Sequence, residues 1–180
     1  MNIKSELCTE KVLGMWWCTA TDTFTFKLSS RHDKNLLSGR KTPTKREVLR
    51  TLMTIYDPLG FLAGYLMCLK ILLQEIWRSG TSWDDEIPEK LADKWRTWLK
   101  ALSLVENVRI PRCYRQNTSK EKSNSIQLHL FVDASESGTA AISYLRFQEA
   151  GFVECAFVWA KTRVSPLKYM SIPAWSYKLR

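Results

Sequence analysis

The sequence predicts an α+β fold: a short N-terminal β-hairpin, a helical middle and a C-terminal antiparallel meander. Three observations carry this. Apolar residues alternate with polar ones over 12–28, recur at helical spacing over 44–102, and alternate again from Ile126. The polar run YRQNTSKEKSNS, residues 114–125, lies between the last two patterns, holds no large aliphatic side chain and reads as a linker. With 180 residues there is room for one domain with a real core or two small ones. The division that follows is 1–42 for a β region with a basic loop, 43–113 for the helical region, 114–125 for the linker and 126–180 for the meander.

Each element has a local reason. Val12 to Cys18 reads as a first strand, Thr19 to Thr23 as a polar turn, and Phe24 and Phe26 alternate with Thr23, Thr25 and Lys27 as a half-buried second strand. Ser29 to Thr42 reads as a basic loop. Thr44-Lys45-Arg46-Glu47 fits the capping box, in which the Thr hydroxyl accepts from the third N–H and the Glu reaches back. A helix over 44–56 follows, and Asp57-Pro58-Leu59-Gly60 stops it, because the residue before proline avoids the helical region. A second helix, apolar around most of its surface, is expected over 61–77, and a third over 88–102 with Pro88 in its first turn. Leu91, Trp95, Trp98 and Leu102 recur at i, i+4, i+7 and i+11, a stripe that implies core packing. In the C-terminal region, Ile126, Leu128, Leu130 and Val132 face one way and Gln127, His129, Phe131 and Asp133 the other. Strands over 139–147 and 152–159 complete the meander, and 160–173 reads as a loop with Pro166 and Pro173 as breakers.

The 27 Lys and Arg outnumber the 18 Asp and Glu, giving a formal charge of +9, a balance that suits polyanionic partners. The excess is local: from Lys27 to Arg50 there are eight basic side chains and two acids, Asp33 and Glu47. Within that stretch Arg40, Lys41, Lys45 and Arg46 are the candidate nucleic-acid contacts. The five cysteines include no C-x-x-C pair and the two histidines, His32 and His129, are far apart, so no zinc site is expected. No signal-peptide pattern opens the chain, and the most apolar stretch, Leu59 to Leu69, is too short to span a bilayer. An intracellular, cytoplasmic protein with no membrane partner is the expectation.

Asp133 is the ionisable residue of most interest. It ends a strand and precedes the small residues Ala134, Ser135, Ser137 and Gly138, which leave room for a cation and a phosphate. Its plainer role is to cap the turn, as Asp does at many strand ends. His129 reads as a half-exposed strand residue. No Gly-rich phosphate loop and no G-x-S-x-G elbow occur.

Seven segments together resemble the BEL/Pao family of LTR-retrotransposon polyproteins. They are KVLGMWWCTATDTFTFKL (11–28), TKREVLRTLMTIYDPLG (44–60), LLQEIWRSGTSWDDEIP (72–88), KWRTWL (94–99), RIPRCY (109–114), LHLFVDASESGTAAISYLR (128–146) and AKTRVSPLKYMSIP (160–173). This region of the family carries the name Pao retrotransposon peptidase. The resemblance implies that 12–28 close a reverse transcriptase palm near the primer, that 44–110 form thumb and connection, and that a ribonuclease H-like domain starts at Ile126. It also implies that Asp133 is the family's first metal-binding Asp, one of several carboxylates that hold two Mg²⁺ ions in the parent enzyme.

The departures from the family pattern set the functional expectation. Ser176 stands where the family's next catalytic Glu is expected, in Ala174-Trp175-Ser176-Tyr177. A single carboxylate does not hold two strongly hydrated divalent ions. The chain is therefore expected to be a truncated ribonuclease H-like region that binds RNA–DNA hybrid or other nucleic acid within the parent polyprotein. Alone, it is expected to be inactive and to carry no cofactor. Two alternatives stay open. One is an aspartic-type peptidase, which needs a D-[ST]-G triplet where this chain has Asp133-Ala134-Ser135. The other is a domesticated interaction module built on the thumb-like helices.

Overall fold

Gly14 breaks the strand expected over Val12–Cys18. The structure, a computed structural model, describes residues 9–12, 14–28, 34–115, 125–149 and 151–167. In it β1 (Thr9–Val12) and β2 (Met15–Cys18) pair antiparallel, with Lys11 opposite Trp16 and Val12 opposite Met15. Gly14 sits between them at φ +88°, a conformation that costs glycine little and other residues much. Apolar alternation alone does not reveal this turn, because both strands of a tight hairpin carry the same pattern. β3 (Thr23–Thr25) pairs with β2, and β4 (Ile110–Pro111) adds to β3 from far along the chain. The expected loop before Thr44 contains a short helix, α1 (Lys34–Leu37), whose Leu36 is buried in the core. One helical turn is not stable on propensity alone, so docking of Leu36 is what holds it.

The three long helices lie where the spacing places them. α2 (Lys45–Thr54) starts with the expected capping box: Thr44 Oγ1 accepts from Glu47 N at 3.3 Å, and Glu47 Oε2 accepts from Thr44 N at 2.9 Å. Asp57 then caps the next turn, accepting from the Phe61 and Leu62 N–H groups at 2.9 and 2.8 Å. α3 (Ala63–Arg78) and α4 (Glu89–Val105) follow, the latter directly after Pro88. The core forms where α2, α3 and α4 meet. Val48, Leu69, Ile76 and Trp95 are fully shielded there, and Trp98 stacks on Tyr65 with ring centroids 4.7 Å apart. The tryptophan stripe is core, as its spacing implies.

The meander comprises β5 (Ser125–Ala134), β6 (Gly138–Glu149) and β7 (Phe152–Val164), all antiparallel in that order. β7 runs on through Ala160–Val164, which the sequence presents as loop. Residues Gly138–Ile142 of β6 lie alongside and take up its ladder, and a bulge at Ser143/Tyr144 resets the register. That extension meets the helices. Ala160 N donates to Leu59 O at 2.9 Å, Thr162 Oγ1 to Ala63 O at 3.3 Å, and Gln74 Nε2 to Ser165 O. A line of rings runs from Phe24 through Phe61, Phe157, Tyr144 and Phe131 to His129, with neighbouring centroids 5.1 to 6.5 Å apart. The other face of β5 is open: Ile126, Leu128, Leu130 and Val132 are each more than half exposed.

Candidate nucleic-acid interface and the Asp133 corner

The basic stretch is divided between the core and the surface. Lys45 is only 5% exposed, and its Nζ lies over the rings of Trp77 at 4.4 Å and Trp83 at 5.7 Å. Arg46 forms a two-pronged pair with Asp84, at 2.7 and 3.0 Å, and stacks over Trp83. That pairing holds the Asp84 carboxyl below the usual carboxylate range. Lys41 meets Glu47 at 2.6 Å. Burial would raise the Glu47 pKa, but hydrogen bonds from Lys41 and Thr44 outweigh it, so the carboxyl titrates low. Arg40 is exposed. Of the four predicted contacts, three are therefore engaged within the chain, and Lys45 and Arg46 clasp the Trp83 loop onto α2. Arg31 and Asp33 lie outside the described residues.

The two ends of the stretch, Lys27 and Arg50, converge on a second feature. A groove of about 700 Å³ runs between the small sheet and α2, and Lys11, Trp16, Lys27, Arg50 and Tyr56 are among its walls. No acidic side chain lines it among the described residues. Lys27 Nζ lies 4.4 Å and Lys11 Nζ 5.9 Å from the centre of the Trp16 ring. Pairing explains the charge separation. Lys11, Trp16 and Thr25 stand on one face of the sheet, while Glu10 and Trp17 stand on the other. There Trp17 Nε1 and Arg112 both donate to Asp22, and the Arg112 pair in the main holds the Asp22 carboxyl low. Neither Lys11 nor Trp16 stood out in the sequence, since Lys11 lies outside the basic run and Trp16 reads as an ordinary strand residue.

Asp133 stands one residue before the end of β5, opposite Ala140, and is exposed. Its Oδ1 accepts from the neighbouring Ala134 N–H at 2.8 Å, the turn-capping role expected of Asp there. Register places Gln127, His129, Phe131, Ala140, Ile142, Tyr144 and Arg146 on the same face, with no second carboxylate. Glu154 lies opposite Phe147 and so on the other face, and Glu136 is exposed in the turn. Among the described residues no cluster of three His, Cys, Asp or Glu side chains could hold a metal. The donor set around Asp133 does not fit a pair of Mg²⁺ ions, which need several carboxylates. Ser176 lies outside the described residues. Cys18, Cys68, Cys113 and Cys155 are free thiols. No helix among the described residues is long and apolar enough to cross a membrane.

The sequence model of one family, described as Pao retrotransposon-like RNaseH-like domain, matches residues 44–176, about three quarters of the chain. The chain belongs to this family. The antiparallel meander with Asp133 near the end of its first strand is thus part of an RNase H-like fold in a Pao retrotransposon-related region. The family's match runs through the helices, the polar run and the meander as one stretch, and leaves β1 to β3 outside it. No curated protein and no solved structure matches the chain.

Proposed function

We propose that this chain is part of a retrotransposon pol polyprotein, joining the end of a reverse transcriptase to its RNase H-like domain. It holds nucleic acid for the parent enzyme and has no hydrolytic activity of its own. In this reading the small sheet closes a palm, the helices serve as thumb and connection, and RNA–DNA hybrid is the natural ligand. Arg40 supplies exposed charge near the duplex, Lys41 and Arg46 reach a phosphate only by leaving Glu47 and Asp84, and Lys45 acts as a strut beneath them.

The observation that carries the reading is Asp133. By resemblance it matches the family's first metal-binding position, yet among the described residues it is the lone carboxylate of its face of the meander. In the complete parent enzyme, Asp133 would be one of several carboxylates needed to hold Mg²⁺, and the chemistry such a site would supply is phosphodiester hydrolysis. A peptidase would need a D-[ST]-G triplet, and none of the seven Asp residues of the chain is followed by one.

The test uses the purified chain with a labelled RNA–DNA hybrid. Affinity should fall with salt, each neutralised phosphate adding about 0.9 to the slope of log affinity against log salt. No cleavage should occur with Mg²⁺ or Mn²⁺. Hybrid cleavage abolished by Asp133→Asn would show a minimal nuclease instead, and proteolysis of an unstructured substrate abolished by the same change would show a peptidase. Salt-independent binding, or none at low salt, would remove the nucleic-acid role.

A further inference from the structure

The groove between the small sheet and α2 combines three features: cations on its rim, an aromatic floor and no acid among the described residues that line it. We propose that it takes single-stranded nucleic acid, with one base on Trp16 and the flanking phosphates on Lys11, Lys27 and Arg50. The proposal rests on the reading that the chain binds nucleic acid, and it names the strand form and the contact residues.

Shape and chemistry favour a single strand. A volume of about 700 Å³ suits a nucleotide or two, not the width of a duplex. In a duplex each base face is covered by its neighbours, so a wall of exposed rings has nothing to stack on. An unpaired strand offers those faces, and stacking on aromatic rings beside a basic track is how such strands are held without regard to sequence. Trp16 is half-buried and therefore fixed in place, while Tyr56 at the groove wall is 53% exposed. Gly14 permits this arrangement, because a Cβ there would lie 2.6 Å from the Tyr56 ring. The Lys27 and Lys11 ammonium groups now sit over Trp16. A cation–π contact at an exposed position is weak, and both stems are long and flexible. On binding, each ammonium moves from the ring to a phosphate, and the ring face passes to a base. Of the acids next in sequence to groove residues, Glu10 is kept on the opposite face of the sheet, Asp57 caps the Phe61 and Leu62 N–H groups, and Glu106 accepts from the Leu28 N–H at 2.9 Å.

Anisotropy with labelled oligothymidine and with an RNA–DNA hybrid tests this on the whole chain. Trp16→Ala should weaken oligothymidine binding about tenfold, the worth of one stacked base, and leave hybrid binding within about twofold. Lys27→Gln and Arg50→Gln should each take about 0.7 off the salt slope for the single strand. Photocross-linking with 5-iodouracil in the oligonucleotide should map to peptides holding Trp16 or Tyr56. If Trp16→Ala does not fold by circular dichroism, Trp16→Phe, with an intermediate loss expected, and the cross-link map decide. Unchanged oligothymidine affinity in the Trp16 variants, with cross-links elsewhere, would overturn the groove assignment; intact salt-dependent hybrid binding in the same samples would leave the broader reading standing. Absence of binding to either probe at low salt would overturn both.

Discussion

Lys45 shows how one residue can look like a ligand contact and be a structural part. Its charge and its place in a basic run suggest phosphate binding, yet it is 5% exposed beneath Trp77 and Trp83. A desolvated cation over two indoles is a strong example of its kind. Lys45→Gln should therefore lower stability in urea denaturation by about 2 kcal/mol. The same change should leave the salt slope of nucleic-acid binding unaltered. A loss of slope with unchanged stability would return Lys45 to the binding surface. Asp57 is a second residue whose role is settled by its surroundings. Burial lifts its pKa, while the N–H groups of Leu62, Phe61 and Gly60 stabilise the ionised form. It is a cap for the D-P-L-G turn, and no ligand is required to account for it.

At the scale of elements, the D-P-L-G turn decides how helix and sheet meet. Gly60 takes φ +77°, and a Cβ added there would collide with the carbonyl oxygen of Ala160 on β7. Backbone strain and a blocked contact act together, so Gly60→Ala should cost about 3 kcal/mol. Gly64 in α3 is the control, since nothing lies within 4 Å of where its Cβ would be. Gly64→Ala should stabilise by about 0.5–1 kcal/mol, the ordinary gain of alanine over glycine in a helix. Chemical denaturation of the two variants checks both signs, and equal effects would mean that the Gly60–Ala160 approach is unimportant.

At the scale of the whole molecule, the least protected region among the described residues is β5. Its apolar row is open, with Leu128 68% and Leu130 62% exposed, and no Lys or Pro interrupts the strand from Ser125 to Ala134. Long edge strands with an open apolar row invite pairing between molecules, and the one acid of β5, Asp133, stands near its end. The chain should therefore self-associate as its concentration rises, in size-exclusion chromatography with light scattering. Leu128→Lys or Leu130→Lys should shift it towards monomer with little change in stability, since both side chains already stand in solvent. Self-association unchanged by either lysine would place the contact elsewhere.

Local periodicity and caps determined a great deal by themselves. Thr44 and Glu47 announce the start of α2, Asp57-Pro58 its end, and the Trp95–Trp98 stripe the core-facing side of α4, because each depends on neighbours within one or two helical turns. The alternation from Ile126 likewise specified β5 and the strand-end place of Asp133. What only the tertiary structure decided are pairings between residues far apart in sequence. Ile110–Pro111 become β4 by meeting β3, and Ala160–Val164 become strand by meeting β6 and α3. The candidate groove is of the same kind. Lys11 and Arg50 lie 39 positions apart and reach one wall only after a hairpin and a helix pack together. Charge in a sequence says how many cations there are; which are spent on Glu47, Asp84 or an indole, and which are left for a phosphate, depends on distances that only the folded chain sets.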